Sequence, residues 1–204
     1  MTGEPTVFVV DDDELARTSV CALARSMGIR AESFSSAEEF LEHYVEGRPG
    51  CLVTDVRMLG MSGLELQDRL RELDVHVPVI VMTAYAKTPL TVRAIKGGAV
   101  TVLEKPCEEN ELWDAVRKAL SRDAEGRARH GRRQELRRRI ERLTPVQRKV
   151  MDMIVAGKAN KVIAMDLDIS VRTVEARRQE LFAKMQADSV AELVRLVIEA
   201  NPER

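Results

Sequence analysis

Residues 7–13 read Val7-Phe8-Val9-Val10-Asp11-Asp12-Asp13, an apolar run that turns abruptly into three carboxylates. Four apolar residues, three of them β-branched, are too few for a helix and suit a strand buried on both faces. The run extends over Thr6–Val10, and similar runs recur at Arg30–Phe34, Cys51–Thr54, Val79–Met82 and Thr101–Leu103. Between and after them lie amphipathic stretches at roughly 14–27, 36–46, 63–73, 88–97 and 109–120. Several carry end signals: Ser36 with Glu39 fits a capping box, Ser62 caps the third stretch, and Gly97-Gly98 closes the fourth. This alternation predicts an α/β domain, a doubly wound five-stranded parallel sheet with helices on both faces.

In such a sheet, ligands bind beyond the carboxyl ends of the strands. The acidic cluster follows strand one, Asp55 follows strand three, Thr83 stands at the end of strand four, and Lys105 follows strand five. All four positions converge on one rim. Carboxylates crowded there repel one another unless a cation offsets them, and a few hard oxygen ligands suit Mg2+. Lys105 adds a fixed positive charge and Thr83 a hydroxyl. The space among them, over Asp55, fits a phosphoryl group, and a carboxylate beside it is a nucleophile for forming an acyl phosphate. Singly, these residues are ordinary loop chemistry; the shared rim carries the reading.

The chain of 204 residues is long enough for two small domains, and its charge divides along its length. Residues 1–120 carry 13 Lys+Arg against 20 Asp+Glu, and residues 121–204 carry 19 against 13, so an acidic module precedes a basic one. Such a basic module is a candidate for nucleic acid. Residues 121–142 hold nine Arg with Gly126 and Gly131, and read as an exposed charged linker, helical in part. The apolar stripe of Leu112, Val116, Ala119 and Leu120 resumes at Leu136, Ile140 and Leu143. The expected division is 1–120, 121–142 and 143–204. No apolar stretch is long enough for a membrane span and the N-terminus lacks a secretory pattern, so a cytoplasmic protein is expected. Cys21, Cys51 and Cys107 are widely spaced, against a disulfide framework or zinc site.

The C-terminal module is helical throughout. Thr144-Pro145-Val146-Gln147 is a helix start, with Thr as N-cap, Pro at N1 and Gln placed for a capping box. Val150, Met151, Met153 and Ile154 give its apolar face; a short second helix places Val162, Ile163, Ala164 and Leu167 inward. Ser170 caps a third helix, residues 171–185, and Ser189 with Glu192 a fourth. Two short helices joined tightly, the second basic outside a Val174, Leu181 and Met185 stripe, describe a smaller all-α helix-turn-helix domain.

Residues 5–120 resemble a response-regulator receiver domain, through VVDDD at 9–13, VTDVRMLGMSGLEL at 53–66, PVIVMTAY at 78–85 and GGAVTVLEKP at 97–106. The resemblance implies a flavodoxin-like sheet with Asp55 as phosphoacceptor. It implies Mg2+ held by Asp12 directly, Asp11 through water, Asp55 and the main-chain carbonyl of Arg57, with Thr83 and Lys105 on the phosphoryl oxygens. Asp13 receives no role. Arg57 and Tyr85 stand where side chains tune the lifetime of the acyl phosphate. Three places depart from the commonest pattern: Val102 replaces a usual aromatic switch residue, Leu59 takes the place of a common Pro, and Tyr85 follows Thr83 by two.

Residues 157–185 resemble the LuxR-type helix-turn-helix, and the whole chain resembles the FixJ/NarL class of transcription regulators, with LDIS and RTVE nearest the FixJ side. In place of an Arg-Glu pair common in relatives stand Val146 and Gln147. The resemblance places residues 171–185 in the major groove, with Glu175, Ala176 and Gln179 facing base edges. Lys158, Asn160, Lys161, Thr173, Arg177, Arg178 and Lys184 are then candidates for phosphate contact. The implied partners are a sensor histidine kinase, double-stranded DNA, RNA polymerase and a second copy of the chain. The surface at about 88–103 is the one that changes on phosphorylation in this class. Two alternatives stand beside this: a phosphorylation-independent DNA-binding regulator, and an aspartyl-phosphate phosphatase, which needs a second Asp where Arg57 stands.

Overall fold

A computed structural model describes residues 3–201. The chain divides into two compact units, residues 1–126 and 127–204. In the first, β1 (Thr6–Val10), β2 (Arg30–Phe34), β3 (Gly50–Asp55), β4 (Val79–Thr83) and β5 (Thr101–Glu104) form one parallel sheet in the order β2-β1-β3-β4-β5. Three strands run one residue further at their carboxyl ends than their apolar runs suggest. The reason is pairing: Asp55 is in register with Met82, and Thr83 with Glu104, so polar residues close the ladders.

Alternate strand residues feed two cores. Phe8, Val10, Leu52, Val79 and Val81 pack with α2 (Ala37–His43), α3 (Gly63–Glu72) and α4 (Thr88–Lys96). Val7, Val9, Cys51, Val53, Ile80 and Met82 pack with α1 (Glu14–Ser26) and the first part of α5 (Glu109–Glu141). Burial on both faces is why β1, β3 and β4 tolerate uninterrupted apolar runs. The chain reverses direction around β1, which opens the crevice between β1 and β3 at their carboxyl ends. Ser62 and Glu65 make a full capping box; Ser36 caps α2 alone, because Glu39 turns its carboxylate to Ser35. Cys21 and Cys51 are buried, Cys107 is half-buried, and all three are free thiols.

Residues 121–141 lie within α5, and two of them are buried. Asp123 accepts the Gly50 N–H at 2.9 Å in the first unit, and Leu136 enters the core of the second.

The second unit packs α6 (Pro145–Val155), α7 (Asn160–Asp166), α8 (Val171–Met185) and α9 (Val190–Ala200) around Val150, Ile154, Ile163, Leu181, Met185, Leu193 and Val197. Val162 departs from the expected inward face and is exposed: α7 is only seven residues long and buries Ile163 and Ala164 instead. Arg137 donates to the Ala200 carbonyl and Arg139 to the Met185 carbonyl, the last residues of α9 and α8. Cations at helix C-termini are favourable, so these linker arginines hold the bundle together. Among the described residues no helix is long and apolar enough to cross a membrane.

Candidate functional site

The sheet brings Asp11, Asp55, Thr83 and Lys105 to one rim. Asp11 follows β1 directly and Asp55 ends β3, both nearly buried. The Lys105 Nζ lies 2.5 Å from Asp11 Oδ2 and 2.7 Å from Asp55 Oδ1, so one ammonium is shared by two carboxylates. Burial alone would depress the Lys105 pKa, but hydrogen bonds and charge attraction from Asp11 and Asp55 outweigh it and hold the group above its ordinary value. Its backbone is fixed as well, since Lys105 N–H donates to the Thr83 carbonyl at 2.7 Å.

The loop after β3 is built to present Asp55. The Arg57 N–H donates to Asp55 Oδ2 at 2.5 Å. Gly63 starts α3 so close behind that a Cβ there would lie 2.0 Å from the Asp55 carbonyl oxygen, which only glycine avoids. On the other side of the rim, Thr83 Oγ1 accepts the Tyr85 N–H at 3.2 Å. The Arg57 guanidinium lies over the Tyr85 ring, 5.3 Å from its centroid, so the two residues expected to tune phosphate lifetime touch each other.

Asp12 is separate from this group. Its Oδ2 accepts the Leu59 N–H at 3.0 Å. Among the described residues no three His, Cys, Asp or Glu side chains are gathered for a metal ion. The donor chemistry nonetheless fits Mg2+: Asp11 and Asp55 already converge on one cation, and with Asp12 and the Arg57 carbonyl every donor is a hard oxygen. Asp13, which sequence left without a role, is the N-cap of α1, accepting from Leu15 N–H at 2.8 Å. An Asp just before an amphipathic run was the available signal.

In the second unit, Ser170 caps α8, and Asp168 makes the preceding turn with φ 51°. Glu175, Ala176 and Gln179 are exposed along one stripe of α8, and Arg172, three residues before Glu175, joins them. Helical spacing would have identified Arg172 too. Lys161 is exposed, while Asn160, Thr173, Arg177 and Arg178 are half-buried. Arg178 lies over the Phe182 ring, and Thr173 N–H donates to Ser170. Two more of the expected phosphate contacts, both lysines, have partners within the unit. Lys158 pairs with Asp166 at 2.6 Å, and Lys184 donates to Gln147 Oε1 at 2.9 Å. Gln147 also donates to Glu180 and completes the capping box with Thr144, so a buried amide fastens α6 to α8.

The family described as response regulator receiver domain matches residues 7–117, and the family of bacterial regulatory proteins, luxR family, matches residues 141–197. The transcriptional regulatory protein FixJ of Azorhizobium caulinodans is 44% identical over 195 residues, covering 96% of this chain and 92% of that protein. FixJ of Bradyrhizobium diazoefficiens is 40% identical over 202 residues, 98% of each. Among solved structures, the response regulator StyR aligns with TM-score 0.85 and 41% identity over 96% of this chain and 98% of that one. Full-length FixJ from B. japonicum aligns with TM-score 0.58 and 36% identity over the whole of both chains.

Proposed function

Because the chain belongs to the response regulators that join a receiver domain to a LuxR-type DNA-binding domain, as the FixJ regulators do, we propose that it couples phosphorylation of Asp55 to transcription. The observation that carries this reading is the Lys105 ammonium shared by Asp11 and Asp55 at the carboxyl rim of the sheet.

A sensor histidine kinase presents its phosphohistidine to that rim. An Asp55 carboxylate oxygen attacks phosphorus, the N–P bond breaks with its electron pair going to the imidazole, and an acyl phosphate forms. Asp11, Asp12, Asp55 and the Arg57 carbonyl would hold Mg2+, which would supply charge neutralisation to the phosphoryl group. Lys105 pairs with the new phosphoryl oxygens, and Thr83 turns its hydroxyl proton from the Tyr85 carbonyl to donate to them. The Arg57–Tyr85 stack shields the acyl phosphate from water. The second Asp that a phosphatase cycle uses as acid has Arg57 in its place, which disfavours that reading.

The receiver then dimerises through α4 and β5, where Val92 and Ile95 are exposed, and two DNA-binding units engage neighbouring half-sites. Residues Glu175, Ala176 and Gln179 read base edges, with Arg172 beside them; Lys161, Asn160, Thr173, Arg177 and Arg178 contact phosphate, as do Lys158 and Lys184 once released from Asp166 and Gln147. The bound dimer recruits RNA polymerase in the cytoplasm.

The test is the intact mass of wild type and Asp55→Ala after incubation with Mg2+ and an acyl-phosphate donor. One phosphoryl group on wild type alone is expected. If wild type forms neither a phosphoryl nor a beryllofluoride adduct, the phosphoswitch is overturned. In that event a second reading gains, in which DNA binding is independent of Asp55; Val102, partly buried against the α4 side of the core, gives it footing.

A further inference from the structure

Asp12 and Leu59 form a contact that a proline at position 59 could not make. Where Pro is common in the family, Leu59 supplies a backbone N–H, and that N–H is spent on the Asp12 carboxylate at 3.0 Å. A proline has no N–H to give. Leu59 is 82% exposed, so what it offers here that a proline would not is its amide.

Asp11 and Asp55 are drawn together by Lys105, whereas Asp12 faces Leu59 and shares no three-carboxylate cluster with them. Asp12 Oδ2 is engaged by the amide, so a cation that takes this oxygen competes with the Leu59 N–H. We propose that the Leu59 N–H is a brake on Mg2+ uptake, competing with the cation for Asp12 and raising the Mg2+ concentration at which the receiver becomes competent for phosphorylation. This rests on the reading that Asp11, Asp12 and Asp55 hold Mg2+.

The far side of the same loop is pinned independently, because Met61 N–H donates to Glu38 Oε1 of α2 at 2.9 Å. Removing the Leu59 bond therefore frees Asp12 Oδ2 without releasing the loop from α2. Charge-assisted hydrogen bonds at exposed positions sit at the low end of their range, so the expected competition is modest.

The chain has one tryptophan, Trp113, packed against the receiver core, so its fluorescence follows unfolding of that unit in the full-length protein. A ligand bound only by the folded state raises the unfolding temperature, and titrating Mg2+ gives the midpoint of that rise. Leu59→Pro should reach it at about 3- to 10-fold less Mg2+ than wild type. Leu59→Ala, which keeps the N–H, should match wild type. An unchanged or higher midpoint in Leu59→Pro, or an equal shift in Leu59→Ala, overturns the brake. If Mg2+ affects wild type and Asp12→Ala identically, the metal-site assignment itself falls and takes the brake with it. Independently of any variant, hydrogen exchange at the Leu59 amide of wild type should accelerate as Mg2+ is added; exchange that slows or stays constant also overturns the proposal.

Discussion

Lys105 illustrates how one side chain serves two states. Its ammonium neutralises Asp11 and Asp55, and replacing it with alanine leaves two nearly buried carboxylates facing each other. Lys105→Ala should lower receiver stability in the absence of Mg2+ by about 2 kcal/mol, below the usual cost of breaking a fully buried pair because the lysine is partly solvated. The pKa of Lys105 is raised above 10.5. Below the ordinary lysine value it is charged in both folded and unfolded chains, so its contribution is complete at neutral pH and is lost as pH rises through the higher folded value. The gap between wild type and Lys105→Ala, followed by Trp113 fluorescence, should therefore be constant from about pH 6 to 9 and close only above the ordinary lysine value. Phosphorylated Lys105→Ala should dimerise less than wild type in sedimentation, since the reader of the new charge is gone. The site residues were legible because strand ends put them in a recognisable order. The Leu59 amide was not, because every residue except proline has one and only coordinates reveal its acceptor.

At the level of elements, sequence described helices well where caps and apolar faces agree. Thr144 and Gln147 form the expected box, and α8 occupies residues 171–185 as read. It described poorly what polar side chains do between helices. The position of Gln147 was visible as a departure from relatives, but its bonds to Glu180 and Lys184 depend on how α6 packs against α8. Gln147→Ala removes half a capping box and both bridges, and should destabilise the second unit by about 2 kcal/mol in chemical unfolding followed by circular dichroism; Val146→Ala should change it by less than about 0.5 kcal/mol. Similarly, nine arginines between 121 and 142 looked like solvated charge. Arg137 and Arg139 instead reach carbonyls more than forty residues away in sequence, a pairing that local pattern does not encode.

For the whole molecule, two modest affinities are expected to multiply. Linking two DNA-reading units through a receiver dimer makes the second contact intramolecular, so phosphorylation should tighten operator binding by roughly 10- to 100-fold without new base contacts. Sedimentation and DNA titration of wild type with beryllofluoride, beside Asp55→Asn, measure both steps: wild type should shift to dimer and gain affinity, and Asp55→Asn should do neither. Gene architecture inherits a constraint from α5. Its Asp123 belongs to the receiver through Gly50, while Arg132, paired with Glu199, already belongs to the DNA-binding unit. A crossover that swaps output modules between such regulators is therefore expected to keep both cores intact when it falls between Asp123 and Leu136, inside a helix and outside both family boundaries.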